Sequence, residues 1–425
     1  MLGIALQCLK LAWGSSSSAW QAVDWLLLVD ITAAEGTQGL GLLNIVGSLF
    51  MSAMQLAVVP LVFTSLALAV EAADDLGKLG RISRKMVLCF ALFYIVCVVV
   101  AQSVALAVRS AGAFSSQLPA DISAGGGQAI ESYNPFTIIT DLVPSNLVEA
   151  FSNNNGVLSV ILIALATGVG LIKLSEQGES LKRLLVSVNT LLTEGVGYLI
   201  RHLGPFAIFC MLARALAVYG ADYLASASAY VVTGVTTPLA LFFTLYPVAI
   251  LVICRVKPII FIKKCARTAI LASATNSSAA ALPSNMETCI HELGCGRDVV
   301  SLVLPTGMTV HMNGTVVMQS IATVFVATAS GVDLQPYQLL VAGIVSITTA
   351  LSTPPVPMAG TVLVSVILGA LGLTGDVSML AYAVVLAVNY PIGMAFMPMN
   401  VIGDAATCML VSASEGELDR NVYYS

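Results

Sequence analysis

Long blocks of apolar residues alternate with short polar connectors along the chain. The clearest blocks are residues 42–72, 86–111, 157–173, 184–218, 223–254, 299–329 and 381–413. A helix that crosses a bilayer needs about 20 apolar residues, and several of these blocks exceed that length, so tilted membrane helices are the expected elements. Residues 1–13 are apolar apart from Lys10 and lack a charged leader and a small-residue cleavage site, so they read as a short first membrane helix. Residues 14–41, with Ser15, Ser16, Ser17 and Ser18 in a row, fit no simple span; an external insertion and a rebuilt first helix are both open readings.

The connectors carry charge asymmetrically. Lys78, Arg81, Arg84 and Lys85 form one basic cluster, Lys173, Lys182 and Arg183 a second, and Arg255, Lys257, Lys263, Lys264 and Arg267 a third. Basic connectors stay on the cytoplasmic side of a membrane. Residues 110–172 hold Asp121, Glu131, Asp141 and Glu149 but no Lys or Arg, as an external loop and its flanks should.

Two segments cannot be simple spans. Residues 258–293 begin and end at charged connectors, are too short to cross twice, and have a polar centre, Thr275-Asn276-Ser277-Ser278. Residues 336–373 are broken at Ser352-Thr353-Pro354-Pro355-Val356-Pro357, a proline density that ends a helix. Both read as re-entrant helical hairpins pointing at each other, their non-helical tips tolerated because they are buried in protein or line a wet cavity. A third irregularity, Gly307-Met308-Thr309-Val310-His311-Met312-Asn313-Gly314-Thr315, interrupts the block 299–329. Polar side chains and glycines at that depth predict an unwound stretch whose carbonyls can coordinate an ion; a glycine kink with its polar side chains hydrogen-bonded to neighbouring helices is the alternative reading.

Composition agrees with the pattern. The chain has 425 residues, 58% hydrophobic and 10% charged, with a mean hydropathy of +0.93. An ordinary soluble domain has about 25% charged residues, so most of this surface must meet lipid. The fold class expected is all-α and integral to the membrane, with about eight transmembrane helices plus the two hairpins. A net charge of −5 excludes nucleic acid as a partner. The nine cysteines form no C-x-x-C pair and read as free thiols packed like small hydrophobes. With three histidines and neither a G-x-S-x-G nor an H-E-x-x-H motif, hydrolase chemistry has no material. A channel, which needs only a lined pore, stays open as an alternative; substrate flux stoichiometric with a cation separates it from a carrier.

Asp404 is the sharpest single residue, the only acid between Val377 and Ser414. An ionisable group inside a membrane segment marks a functional site by default. Ser277 and Ser278 at a hairpin tip are the next candidates; helix capping is their alternative reading.

At these residues the sequence resembles the dicarboxylate/amino acid:cation symporter family, the sodium:dicarboxylate symporters that include glutamate transporters. Ser277-Ser278-Ala279-Ala280-Ala281-Leu282-Pro283 is similar to that family's serine-rich hairpin tip. His311-Met312-Asn313-Gly314-Thr315 resembles its Asn-Met-Asp-Gly-Thr signature, and Asn400-Val401-Ile402-Gly403-Asp404 its Asn-Val-Thr-Gly-Asp. Pro60-Leu61-Val62-Phe63, Leu79-Gly80-Arg81 and Val143-Pro144-Ser145-Asn146 also look like family landmarks.

The resemblance implies inverted repeats and a homotrimer working as an elevator in the plasma (inner) membrane, with both termini cytoplasmic. Residues 1–81 and 113–218 would form the scaffold, while residues 82–112 and 219–425 would carry substrate. The second part would hold hairpin 258–293, broken helix 298–330, hairpin 335–373 and last helix 376–414. The resemblance implies coupling to sodium, held by Asp404 with carbonyls near Gly307, His311 and Asn400, and a second sodium site at Thr309 and Thr353. It places a small organic anion or amino acid against Ser277, Ser278, Thr315, Asn400, Asn389 and Phe396.

The sequence departs from the family at two places. The arginine of acidic-substrate transporters corresponds to Phe396, and the acid that binds the substrate amino group to Gly393. Without a guanidinium there is no bidentate partner for a second carboxylate, so the expected substrate is not an acidic amino acid. With Met399 and Met358 nearby, the pocket suits one carboxylate with an apolar or neutral remainder, which Asn389 or Asn313 would serve if it is polar. The residues of the family's deepest sodium site correspond to His311, Asn313, Phe93 and Tyr94, which lack its carboxylate, so that site is expected to be missing. A histidine can titrate near neutral pH, so His311 is a proton candidate, which makes a proton-coupled carrier or exchanger the alternative; a neutral histidine hydrogen-bonded within the fold is the competing reading of this residue.

Overall fold

A computed structural model describes residues 2–14, 16–29, 39–72, 78–114, 143–152, 157–219, 222–353 and 358–425. Among these residues the regular structure is helical throughout. The elements are α1 (Leu2–Trp13), α2 (Ser18–Val23), α3 (Leu42–Ala72), α4 (Lys78–Ser110), α5 (Leu147–Ser152) and α6 (Val157–Leu174). They continue with α7 (Glu179–His202), α8 (Gly204–Tyr219), α9 (Asp222–Ala249), α10 (Pro258–Thr275), α11 (Ser278–Glu287) and α12 (Arg297–Val310). The last are α13 (Asn313–Ala329), α14 (Pro336–Leu351), α15 (Ala359–Val362), α16 (Val364–Ala370), α17 (Asp376–Glu415) and α18 (Arg420–Tyr424).

Four stretches of the described residues are long and apolar enough to cross a membrane: Gly80–Ser110, Ala227–Cys254, Arg297–Ala329 and Pro391–Glu415. Their surroundings differ. The most apolar window of Arg297–Ala329 is 94% buried within the chain, whereas that of Gly80–Ser110 is 33% buried and turns Leu88, Leu92, Ile95 and Val99 outward. Such an outward apolar face has lipid as its natural solvent.

Helix α13 is the centre, flanked by α4, α9, α14 and α17, while α17 also packs on α10, α11 and α12. A second set joins α3 to α6, α7 and α8, with α1 against α8. The apolar block 184–218 divides at Leu203, between α7 and α8. Pro205 supplies no N–H for an α7 hydrogen bond and restricts Gly204, but is well suited to a helix start, so one long block becomes two helices. Hairpin 258–293 is α10 and α11 joined at Asn276, which adopts a left-handed φ of 48°, and Ser277, which caps α11. In hairpin 336–373, α14 leads toward the predicted tip and α15 and α16 lead away; Pro354, Pro355, Val356 and Pro357 lie outside the described residues.

The C-terminal segment closes over the base of the first hairpin. Asp419 N–H donates to the Gly294 carbonyl at 2.8 Å, and Tyr423 Oη donates to the Lys257 carbonyl at 2.9 Å. Lys264 Nζ donates to the carbonyls of Glu292 and Val422, at 2.9 and 3.0 Å. Lys264→Met is expected to leave both carbonyls without their donor and to cost about 2 kcal/mol. Melting in detergent checks this; an unchanged midpoint would show that the clasp adds no stability.

Candidate functional site

The site is built where the central helix breaks. Helix α12 ends at Val310, α13 begins at Asn313, and only His311 (φ −122°, ψ 78°) and Met312 (φ −109°, ψ 65°) leave helical geometry. The break is narrower than the polar stretch 307–315 suggests, because the glycines at both ends stay helical and a side chain replaces the missing backbone partners. Tyr94 Oη on α4 donates to the Val310 carbonyl and accepts from Met312 N–H, each at 2.7 Å. Both backbone groups are thereby satisfied without unwinding a further turn.

Asp404 on α17 is 3% exposed and lies against the end of α12. A Cβ at position 307 would overlap its carboxylate, so only glycine lets the two helices approach this closely. His311 Nδ1 is 2.8 Å from Asp404 Oδ1, and Asn313 Nδ2 is 2.9 Å from His311 Nε2. Tyr246 Oη donates to the Met399 carbonyl at 2.8 Å and so accepts the other Asn313 amide proton at 3.0 Å. In the tautomer whose Nε2 accepts from Asn313, the ring proton sits on Nδ1 and is donated to Asp404. Phe90 stacks on the His311 ring with centroids 4.0 Å apart, while Phe93 and Tyr94 lie at 5.9 and 5.7 Å. This aromatic wall limits the rotation of the ring.

One turn before Asp404, the Asn400 side chain reaches the start of α13. Its Oδ1 accepts from Gly314 N–H at 2.7 Å and Thr315 N–H at 3.3 Å, and its Nδ2 donates to Thr315 Oγ1 at 3.2 Å. Asn400 thus caps α13 from another helix. Ser278 is buried and donates to Met397 Sδ at 3.3 Å, and Ser277 Oγ accepts from Ala280 N–H at 3.4 Å. Asn389 Nδ2 donates to Thr361 Oγ1 on α15, and Gln319 joins the same region by donating to the Gly360 carbonyl at 2.9 Å and accepting from Thr349 Oγ1 at 3.1 Å.

The broken central helix, the first hairpin tip, α15 and α17 therefore bring Ser277, Ser278, Gly307, His311, Thr315, Asn389, Phe396, Asn400 and Asp404 into one region. Thr309 is exposed and donates to the Thr306 carbonyl of its own helix, while Thr353 donates to the Thr349 carbonyl in the last turn of α14. Neither threonine hydroxyl bonds to Asp404. A cavity of about 460 Å³ between α3, α6 and α7, lined by Glu71, Leu171, Ile172, Glu176 and Lys182, lies elsewhere.

The support provided by Tyr94 and Tyr246 escapes sequence reasoning, since a tyrosine inside an apolar block carries no mark of what its hydroxyl bonds. The donor chemistry at Asp404 fits a hard cation. The carboxylate offers hard oxygen ligands, and the C-terminal end of α12 adds the negative pole of a helix dipole.

Comparison with known proteins places these residues in a wider group. The model of the sodium:dicarboxylate symporter family matches residues 28–414. The C4-dicarboxylate transport protein of Bacillus subtilis (strain 168) is 27% identical over 384 residues, covering 88% of this chain and 87% of the relative. The C4-dicarboxylate transport protein 1 of Pseudomonas paraeruginosa is 26% identical over 377 residues, covering 88% and 83%. The proton/sodium-glutamate symport protein of Bacillus caldotenax is 26% identical over 416 residues, covering 94% of each.

Proposed function

The chain belongs to the sodium:dicarboxylate symporter family, and from that premise we propose a secondary symporter that couples a small organic anion or amino acid, not an acidic amino acid, to sodium by an elevator motion. The family is one of cation-coupled membrane transporters, not of enzymes. The observation that carries the proposal is the broken helix, which brings two opposite poles to one place. The C-terminal end of α12, with Asp404 beside it, attracts a cation; the N-terminal end of α13, whose Gly314 and Thr315 N–H groups are capped by the Asn400 side chain, carries the opposite pole, which favours a carboxylate nearby.

In this reading sodium is a second substrate. Asp404 holds it with carbonyls near Gly307, His311 and Asn400, and Thr309 and Thr353 belong to a second sodium site. The organic substrate lies against Ser277, Ser278, Thr315, Asn389, Phe396 and Asn400. Because Asn400 and Asp404 are one turn apart on α17, loading either site bears on the same short stretch of helix. Helices α3, α6, α7 and α8 serve as the scaffold of a homotrimer in the inner membrane with both termini cytoplasmic, and the elements around α13 and α17 move.

A second reading, a proton-coupled carrier or exchanger of a monocarboxylate or neutral amino acid, is favoured by the 2.8 Å contact between His311 and Asp404. Melting of the protein in detergent separates the two. A ligand that binds only the folded state at a hundredfold excess over its Kd stabilises it by about 2.7 kcal/mol. Stabilisation by a carboxylate that requires sodium and not choline supports the symporter, and His311→Asn then leaves the pH profile of uptake unchanged. If lower pH replaces sodium and His311→Asn abolishes that effect, the proton reading holds instead.

A further inference from the structure

Beyond the start of α13, a second set of polar groups lies on the α17 face marked by Asn389, Gly393, Phe396 and Asn400. Asn276, at the tip of the first hairpin, is 2% exposed and its Nδ2 has no hydrogen-bond partner among the described residues. Its amide lies on Gly393: a Cβ there would come within 2.9 Å of Asn276 Oδ1 and overlap Nδ2. The absence of a side chain at 393 is thus what admits the Asn276 amide. One turn earlier, Asn389 is 1% exposed; its Nδ2 is engaged by Thr361, whereas its Oδ1 has no partner among the described residues. A buried unpaired donor over Gly393 and a buried unpaired acceptor at Asn389 therefore mark positions one turn apart on α17, roughly 6 Å along the helix. Leaving such groups unpaired is costly, so each points to a partner that the described residues do not supply.

We propose that Asn276 and Asn389 form a neutral subsite that recognises an uncharged amide or hydroxyl at the far end of a monocarboxylate substrate. This rests on the reading of the pocket as a transport site and names its substrate class. An amide or hydroxyl offers both an acceptor for Asn276 Nδ2 and a donor for Asn389 Oδ1. A second carboxylate offers acceptors only and would set its charge against the Asn389 oxygen. No cation compensates: residues 268–286, 299–332, 334–353, 358–375 and 377–414 contain no Lys or Arg. An uncompensated charge in so buried a place is disfavoured, and a site built to pair a hydrogen-bonding group discriminates strongly against analogues that cannot complete the pairing.

The test uses ligand pairs that differ only in the charge of the distal group: succinate and its monoamide, and aspartate and asparagine, with butyrate as the apolar reference. Each is titrated against the purified full-length protein in detergent, with sodium and with choline. The amide member of whichever pair binds is expected to be at least about tenfold tighter than the carboxylate member. Asn276→Ala and Asn389→Leu should each remove about tenfold of that preference. The unliganded melting midpoint shows that each variant is folded. A carboxylate that binds more tightly than its amide, or an amide preference unchanged in both variants, overturns the neutral subsite and leaves the transport reading standing. If no member of the series binds under either salt, the pocket assignment itself fails, and the subsite with it.

Discussion

Asp404→Asn is expected to lower sodium-driven uptake by at least about a hundredfold, about 2.7 kcal/mol, while the protein still folds and inserts. The substitution is nearly isosteric. An asparagine Oδ1 in the same place still accepts the proton from His311 Nδ1, so the 2.8 Å contact between the two side chains can be kept. What disappears is the negative charge at the end of α12, the main compensation for a cation in a buried place. Uptake into vesicles under a sodium gradient, read beside the sodium-dependent rise in melting midpoint, checks both parts. Sodium-dependent stabilisation equal to that of the wild type would remove Asp404 from the cation site. Gly307→Ala is the companion test, because its methyl group would displace the carboxylate without altering its charge. It should also weaken sodium binding, and for a different reason.

How much of this arrangement is legible in the sequence depends on whether a residue contrasts with its neighbours. Asp404, His311, Ser277 and Ser278 stand out because they interrupt apolar blocks, and the physical cost of placing them in a membrane makes the interruption informative. The break in the central helix is legible as a region but not in width, since its limits depend on the Tyr94 hydroxyl reaching across from α4. The division of block 184–218 was available in Gly204-Pro205, but mean apolarity hides it. Asn276 is the opposite case. Its polarity is plain in the sequence, yet its position over Gly393, more than a hundred residues away, follows only from the way the hairpin tip meets α17. Long-range packing, not local propensity, decides what such a side chain can bind.

Tyr94→Phe has the second large expected effect, and it falls on stability. The variant keeps the ring beside His311, with its centroid 5.7 Å away, and removes one oxygen. That oxygen holds the Val310 carbonyl and the Met312 N–H, the two backbone groups at the break, within 2.7 Å on each side. Tyr94 is 2% exposed and Met312 3%, so water has little access to replace it. Each unsatisfied buried group costs about 1–3 kcal/mol, so the variant should lose about 3 kcal/mol in total, more than Lys264→Met at the edge of the molecule. Thermal melting in detergent measures the loss, and the same samples titrated with sodium show whether the end of α12 still binds a cation. A midpoint within error of the wild type would mean that the break is held without the hydroxyl. Lower stability with unchanged sodium affinity would confine Tyr94 to the backbone. Loss of both would make the hydroxyl on α4 part of the cation site, because the carbonyls that end α12 keep their direction only while Tyr94 bridges the gap.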